Sequence, residues 1–137
     1  MTISEVTLAF FAEPLPIIVG TRRRNGSVKM NPAWYEYRDG HFWLNSWRGA
    51  HWLDHVERER EASLLLIDPR DIYRVVHAET TLVGTSSEGA GAHLDRLSYR
   101  YRGEPYRSAA PMHRVIIQLE PRSVRSTLDG PPRRRLG

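Results

Sequence analysis

The segment from Asn45 to Gly49 has the residue types and the spacing of an anion-binding site. It ends an aromatic run starting at His41 that predicts a strand, and apolar residues at helical spacing follow it. A strand end followed by the free N–H groups of a helix N-terminus attracts phosphate and carboxylate groups. Arg48 adds a planar guanidinium that can bind such a group through two hydrogen bonds. We therefore expect an anionic ligand at this segment.

Two other chemistries at the same segment are less favoured by the sequence. His51 and His55 stand four residues apart on a predicted helix, a spacing that can hold a metal, but no third ligand accompanies them at a diagnostic spacing. Ser46 lies near His51, yet it lacks the glycine-flanked turn of a hydrolase nucleophile. The chain contains no cysteine, which excludes thiolate metal sites and cysteine nucleophiles. We predict no metal site.

Basic and aromatic residues alternate from Tyr99 to Arg102 and again at Tyr106 and Arg107. Surfaces that bind single-stranded nucleic acid can show this alternation. Here it falls across the end of a predicted helix, which would scatter the side chains over different faces. We favour packing at an interface and regard nucleic-acid binding as unlikely.

The composition limits the classes of protein to which this chain can belong. The chain has 137 residues, a formal net charge of +4 and 40% hydrophobic residues, which fits a single folded domain that prefers anionic partners. We place this domain at residues 1–128 and predict a flexible C-terminal tail at residues 129–137, where three arginines follow two prolines. No apolar run has the length of a membrane span, and the first residues lack the features of a secretory signal. A cytoplasmic protein is expected.

The hydrophobic pattern predicts a meander of strands with interspersed helices. A helix capped by Thr2 and Glu5 should end before Pro14, and Asn25-Gly26 and Asp39-Gly40 should form hairpin turns with two positive-φ residues each. Strands are predicted at 17–21, 28–35, 41–45, 62–67, 72–83 and 114–119, with a possible short one at 123–128, and helices at 52–60 and 93–101. Residues 84–91 are expected to form a loop. Helices are missing between most strands, so the pattern favours an antiparallel barrel with covering helices over a doubly wound sheet.

A series of short motifs runs along the chain over roughly residues 3 to 126. They are Asn25-Gly26, Asn31-Pro32-Ala33-Trp34, Asp39-Gly40, Phe42, Asn45-Ser46, Arg48-Gly49, the segments 56–59, 62–69 and 73–76, Arg100-Tyr101-Arg102-Gly103 and the strand 114–117. In their order and spacing these motifs resemble the pyridoxamine 5'-phosphate oxidase-like split β-barrel superfamily, the FMN-binding split barrel. Within that superfamily the chain is most similar to the flavin/deazaflavin oxidoreductase branch, which uses coenzyme F-420.

The resemblance implies a mainly β fold of six to seven antiparallel strands, and a homodimer with cofactor sites at the subunit interface. It places the segment 31–33 along the ring and ribityl chain of the cofactor. It also places Asn45, Ser46 and Arg48 at the ribityl and phosphate groups. The cofactor-binding residues expected on this basis are Lys29, Asn31, Pro32, Ala33, Asn45, Ser46, Trp47, Arg48, Gly49 and Trp52.

One position departs from the pattern of the relatives. They carry a lysine four residues after the arginine, aimed at phosphate, whereas this chain has Trp52. Lys29 on the second predicted strand could partly replace that cation. We expect Trp34 and Trp43 to be structural, while Trp47 and Trp52 flank the predicted site.

The resemblance implies a deazaflavin-dependent oxidoreductase that transfers a hydride between coenzyme F-420 and a small electron-poor organic acceptor. Two alternatives stay open: an FMN-dependent oxidoreductase of the same fold, and a non-catalytic cofactor-binding protein. The cofactor carries the hydride chemistry, so the sequence requires no catalytic side chain, and none is named.

Overall fold

The computed structural model of the chain describes residues 1–107 and 113–128. These residues form three helices and seven strands. In chain order they are α1 (Glu5–Phe11), β1 (Ile17–Arg22), β2 (Val28–Ala33), β3 (Tyr35–Arg38), β4 (His41–Trp47), α2 (His51–Glu59), β5 (Glu61–Asp68), β6 (Asp71–Ser86), α3 (Ala90–Arg102) and β7 (Arg114–Ser126). The predicted tail at 129–137 lies outside the described residues, so it stays a prediction together with the domain boundary. No helix within the described ranges has the length and apolarity needed to cross a membrane.

The strands form one antiparallel sheet in the order β2-β1-β5-β6-β7-β4-β3. Its two outermost strands, β2 and β3, are separated in the sequence by a single residue, Trp34. The sheet must therefore curl until its edges meet near Trp34, which produces a split barrel. The predicted fold class is confirmed.

Several predicted boundaries were wrong, and each has a local physical reason. The expected second strand, 28–35, is broken at Trp34 because its first part pairs with β1 and its second with β4. Pro32 lies on an edge strand, as expected for a residue that cannot donate to a ladder. β6 continues to Ser86 through part of the expected loop, because it keeps pairing with β7 there. β7 itself is one strand rather than two.

Two smaller differences between prediction and structure concern the N-cap of α1 and one of the hairpin turns. α1 ends before Pro14 as predicted, but its N-cap is Ser4, whose hydroxyl accepts from the Thr7 N–H, and not Thr2. Asp39-Gly40 has positive φ at both positions, as a tight hairpin turn requires. In Asn25-Gly26 only the glycine has positive φ. The Asn25 side chain instead accepts a hydrogen bond from the Ser27 N–H within a longer turn.

The core fills the inside of the curled sheet. Buried and partly exposed residues alternate along β5, and every second residue from Ala62 to Asp68 is buried on this inner face. α2 contributes Leu53 and Val56 to this core, and both are fully buried. α3 lies on the outer side of the sheet against β4 and β7 and buries Leu94 and Leu97.

Hydrogen bonds fix the C-terminal part of α3 to the rest of the fold. Arg100 donates to the backbone carbonyls of Ala12 (3.0 Å) and Glu13 (2.7 Å) after α1, and to that of Tyr35 (3.0 Å). The Tyr101 hydroxyl donates to the Leu15 carbonyl at 2.7 Å. These two members of the basic and aromatic run thus hold α3 in place, which positions one wall of the cavity described next.

Candidate functional site

A cavity of about 340 Å³ lies between the β2–β3 junction, the end of β4 and α3. Its volume is at the lower end of the roughly 300–1,000 Å³ typical of ligand pockets. Three of the predicted cofactor-binding residues line it, and five further residues were missed by the sequence. The lining residues are Pro32, Ala33, Trp34, Asn45, Leu94, Leu97, Tyr106 and Arg114.

Asn45 is the polar centre of this cavity. It lies at the end of β4 and is nearly buried, with an exposed fraction of 9%. Its amide nitrogen donates to the Ala90 carbonyl at 2.9 Å and lies 3.1 Å from His93 Nδ1. Its amide oxygen accepts from Arg114 Nε at 2.8 Å. The side chain therefore joins β4 to the start of α3 and to the start of β7.

A half-buried acidic group, Glu36, stands behind His93. Glu36 Oε1 lies 3.5 Å from His93 Nε2, and the same carboxylate accepts hydrogen bonds from Arg96 and Arg38. Burial alone would raise the pKa of Glu36, but the nearby His93 ring and the hydrogen bonds from Arg96 and Arg38 outweigh it and lower that pKa to about 2. The carboxylate is therefore charged at neutral pH and ties β3 to α3.

The walls of the cavity are aromatic and aliphatic. The Trp34 ring stacks on the Tyr101 ring, with centroids 5.5 Å apart and an interplanar angle of 13°. Tyr106 stands almost perpendicular to Trp34, at 86° and 6.5 Å. Trp34 was predicted to be structural; it packs on Tyr101 and also lines the cavity. Trp43 is structural, since its indole N–H donates to the Arg38 carbonyl at 2.9 Å and the Arg38 guanidinium lies over its ring.

The predicted residues on β2 point to two sides. Lys29, Asn31 and Ala33 are half-buried, whereas Pro32 between them is exposed. Asn31 lies opposite Val19, a fully buried core residue, in the neighbouring strand. The Asn31 side chain therefore points to the same side of the sheet as Val19, toward the inside of the barrel. Its Oδ1 atom is buried and has no hydrogen-bond partner among the described residues. A buried acceptor of this kind calls for a donor from elsewhere.

The turn after β4 has a conformation that only glycine accommodates here. Gly49 has a φ of +123°, and a Cβ at this position would lie 2.2 Å from Cζ3 of Trp47. The Trp47 side chain therefore folds back over Gly49, and its exposed fraction is 40%. Ser46 points the other way, into the core, where its hydroxyl oxygen is buried without a partner among the described residues.

Arg48 makes an ion pair instead of standing free for a ligand. Its two terminal nitrogens donate to the two carboxylate oxygens of Glu57 on α2, at 2.5 and 3.0 Å. Glu57 also accepts from the Thr85 hydroxyl at 3.1 Å. The hydrogen bond from Arg48 is the largest cause that lowers the pKa of Glu57. The Arg48 side chain is 44% exposed, so solvent and ligands can reach it.

Trp52 and His55 on α2 have structural contacts. Trp52 is half-buried and packs against the core, and it is not among the residues that line the cavity. His55 Nδ1 lies 3.0 Å from the Thr21 hydroxyl, while His51 is exposed. Within residues 1–107 and 113–128 no three acidic or histidine side chains are grouped as a metal site would need.

Four of the five missed residues come from distant parts of the chain. Leu94 and Leu97 have the helical spacing of a core face, so the sequence offers no sign that they border a cavity. Tyr106 was noted only as part of an aromatic and basic run. Arg114 carried one weak signal, since it is a charged residue at the start of an otherwise apolar strand.

Comparison with solved structures supports the split barrel. An F-420 reductase superimposes with a TM-score of 0.81 at 19% identity, over 90% of this chain and 98% of that protein. A conserved hypothetical protein of Mycobacterium tuberculosis gives a TM-score of 0.74 at 22% identity, over 100% of this chain and 94% of the other. General Stress Protein 26 of Bacillus anthracis gives 0.63 at 14% identity, over 88% and 89%. At these identities the likeness shows the fold alone.

Sequence comparison identifies the family. A search of curated proteins finds no match. The family model described as pyridoxamine 5'-phosphate oxidase matches residues 3–128, which is nearly the whole chain. Together with the split barrel and its cavity, this match shows that the chain belongs to the pyridoxamine 5'-phosphate oxidase family.

Proposed function

We propose that this protein is an oxidoreductase that uses a deazaflavin, coenzyme F-420, to transfer a hydride to or from a small electron-poor organic acceptor. The observation that carries the proposal is the cavity at the β2–β3 junction, because Pro32, Ala33 and Asn45, expected at the cofactor, all line it. The family typically binds flavin or related cofactors, and an F-420 reductase has the same fold. When bound, such a cofactor supplies or accepts the hydride.

The residues near β2 fit the ring of a flavin or deazaflavin. β2 is an edge strand of the described sheet, so backbone N–H and C=O groups along its outer side have no strand partner. Such groups can hydrogen-bond to the polar edge of a flat heterocycle. The buried Oδ1 of Asn31 offers one further acceptor to the same ligand. The Trp34 ring adds an apolar surface beside it.

The residues after β4 fit the phosphate end of the cofactor. α2 begins after Ala50, and among the described residues no side chain caps its first N–H groups. Those donors can serve an anion. Arg48 stands two residues before Ala50, where its guanidinium can exchange the Glu57 carboxylate for a phosphate. Trp52 at the usual lysine position packs against the core, so its ring does not fill the cavity.

We further propose that the protein acts as a homodimer with cofactor sites at the interface. Val28 and Met30 on the edge strand β2, and Trp47 at the end of β4, are large apolar residues with exposed fractions of 40% to 71%. Apolar side chains on an edge strand favour contact with another chain. Light scattering after gel filtration should give twice the mass of one chain. A cytoplasmic location stays a prediction.

Titration of the purified protein with coenzyme F-420 and with FMN, followed by tryptophan fluorescence, tests the cofactor. Saturation by F-420 at micromolar concentration supports the proposal, whereas saturation by FMN alone supports the FMN-dependent alternative. Saturation by neither would contradict both. Mixing the bound, reduced cofactor with a quinone such as menadione then separates an enzyme from a carrier. Oxidation no faster than that of the free cofactor would support the non-catalytic alternative.

A further inference from the structure

The chain has three asparagines, and their surroundings differ. Asn25 is exposed and precedes Gly26 in the turn between β1 and β2. Asn31 precedes Pro32, whose backbone nitrogen carries no proton. Asn45 is nearly buried, and both ends of its amide are hydrogen-bonded. An asparagine side chain can react with the backbone nitrogen that follows it when that nitrogen is accessible and can lose a proton. Asn25 meets both conditions, whereas Asn31 and Asn45 do not.

Gly26 leaves the approach to the Asn25 side chain open. A Cβ atom at this position would meet no other heavy atom within 4 Å, and glycine lacks even that atom. The Gly26 N–H donates one hydrogen bond, to the Arg23 carbonyl at 2.9 Å. This bond lies in an exposed turn, where local opening costs far less than unfolding of the whole domain. The Gly26 nitrogen can therefore become free to react while the rest of the fold stays intact.

The side-chain carbonyl of Asn25 is polarised by two donors. Its Oδ1 atom accepts from the Ser27 N–H at 3.0 Å and from the Ser27 hydroxyl at 2.7 Å. The same hydroxyl accepts from Arg23 Nη1 at 3.3 Å, which makes it a stronger donor. Two donors aimed at one carbonyl oxygen stabilise the negative charge that develops there when a nucleophile adds to the carbon.

The charges around the turn favour an anion. Arg22, Arg23 and Arg24 precede Asn25, and in the described part of the chain none of them pairs with a carboxylate. Arg22 Nη1 donates to the Gly26 carbonyl at 3.2 Å. This concentration of positive charge favours loss of the Gly26 N–H proton and favours a carboxylate in place of the Asn25 amide. The Asn25 amide nitrogen makes no hydrogen bond to any residue that the structure describes, so it can leave without breaking one.

We propose that Asn25 is a site of spontaneous deamidation, activated by Ser27 with Arg23 behind it. Hydroxide from the solvent removes the Gly26 N–H proton, and the nitrogen forms a bond to Cγ of Asn25. The bond from Cγ to Nδ2 breaks, and the leaving nitrogen takes a proton from water and departs as ammonia, which leaves a succinimide ring. Water then opens this ring at either carbonyl and gives aspartate or isoaspartate. The reaction consumes no oxidant, reductant or cofactor, so it is independent of the proposed function.

The product changes the charge of a segment next to the candidate site. A carboxylate replaces a neutral amide beside residues 22–24, where it can pair with a guanidinium. The isoaspartate product also lengthens the main chain by a methylene group in the turn that leads into β2. This strand carries Pro32 and Ala33, which line the cavity. Deamidation is therefore a slow, irreversible change at the start of a strand of the site.

Ageing of the purified full chain in slightly alkaline buffer tests the proposal. Peptide mass spectrometry locates the conversion, and an isoaspartyl methyltransferase assay detects isoaspartate. We expect aspartate and isoaspartate to accumulate at Asn25, while Asn31 and Asn45 stay unchanged in the same samples. No conversion at Asn25, or equal conversion at either of the other two asparagines, would overturn the proposal. Aspartate without isoaspartate would overturn it as well, because it excludes the succinimide.

Variants test the activation by Ser27. Ser27→Ala should slow the reaction at least about threefold, because the hydrogen bond from the hydroxyl to the reacting carbonyl is lost. Ser27→Thr keeps the hydroxyl and should react at nearly the wild-type rate. Arg23→Gln should slow the reaction more than the control Arg24→Gln, which removes the same charge but no contact with Ser27.

Unfolding in urea separates the effect of the turn from that of the sequence. Wild type and Ser27→Ala should deamidate at the same rate in urea, where the turn is not formed. A rate for folded Ser27→Ala equal to or above that of wild type would overturn the activation by Ser27. A difference that persists unchanged in urea would do so too, because it would not depend on the fold.

Discussion

The two ends of the candidate site are built differently. At the cavity end, Asn45 is almost buried and bonded to Arg114, to the Ala90 carbonyl and to His93. At the other end, Arg48 is nearly half-exposed and makes one ion pair with Glu57. The cavity end is therefore organised without a ligand, whereas at the proposed phosphate end a ligand would have to replace the Glu57 carboxylate.

From this difference we expect the cavity end to fix the position of a ligand and the proposed phosphate end to add affinity. A buried, fully bonded group cannot move without loss of several hydrogen bonds, so it fixes where a ligand can lie. An exposed ion pair contributes little to stability and can be replaced at small cost. We therefore expect changes at Asn45 to affect folding and changes at Arg48 to affect binding.

Replacement of Asn45 by alanine should have the largest effect on stability. It would leave His93 Nδ1 and Arg114 Nε without the Asn45 amide and remove one donor to the Ala90 carbonyl, at a cost of about 3 kcal/mol. Urea unfolding monitored by circular dichroism measures this change. The matched control is Asn25→Ala in the exposed hairpin, which should cost less than about 1 kcal/mol. Equal costs at the two positions would show that the buried network does not organise the cavity.

Low pH should reduce the stability of the folded protein, because it protonates Glu36 at the cavity end. Its pKa is about 2 in the folded protein and 4.5 for an ordinary glutamate, so the folded state favours the charged form. The stability that this group contributes is present above pH 4.5 and is lost as the pH falls from 4.5 toward 2. We expect a loss of roughly 2–3 kcal/mol over that range that Glu36→Gln does not show. Parallel acid curves for the two proteins would contradict this role.

At the phosphate end, Arg48→Ala should weaken cofactor binding by about 1.5–3 kcal/mol, because charge-assisted hydrogen bonds to phosphate are lost. Stability should change by no more than about 1 kcal/mol, as expected for an exposed ion pair. Fluorescence titration measures the first and thermal unfolding the second. An unchanged dissociation constant would show that Arg48 does not contact the phosphates.

The smallest effect is expected for Glu57→Gln. This change removes the carboxylate that competes with phosphate for Arg48, so cofactor binding should become tighter by up to about 1 kcal/mol. Titration under the same conditions as for Arg48→Ala gives the comparison. Weaker binding by Glu57→Gln would mean that Glu57 helps to position Arg48 for the ligand rather than competing for it.

Local patterns in the sequence predicted most of the fold. Period-two alternation and the Asp39-Gly40 turn located the strands, since these signals depend only on near neighbours. The break at Trp34 was missed because only this one residue separates β2 from β3, and it is their pairing with β1 and with β4 that divides them.

The candidate site was predictable only where it is local in sequence. Asn45, Pro32 and Ala33 were identified through the family resemblance, and they line the cavity. Arg114 lies 69 positions after Asn45, and its contact depends on the pairing of β4 with β7, which no local pattern encodes. The Arg48–Glu57 pair was equally hidden, because it requires the turn at Gly49 that directs α2 back toward β4.

The central claim is that one ligand spans both ends, with its ring at the cavity and its phosphate at Arg48. The most direct test compares the binding of coenzyme F-420 with that of its deazariboflavin core, which lacks the phosphate tail, in wild type and in Arg48→Ala. We predict micromolar, saturable binding of F-420 by wild type, weaker binding of the core, and loss of this difference in Arg48→Ala. Failure of F-420 to saturate the wild-type protein would contradict the account.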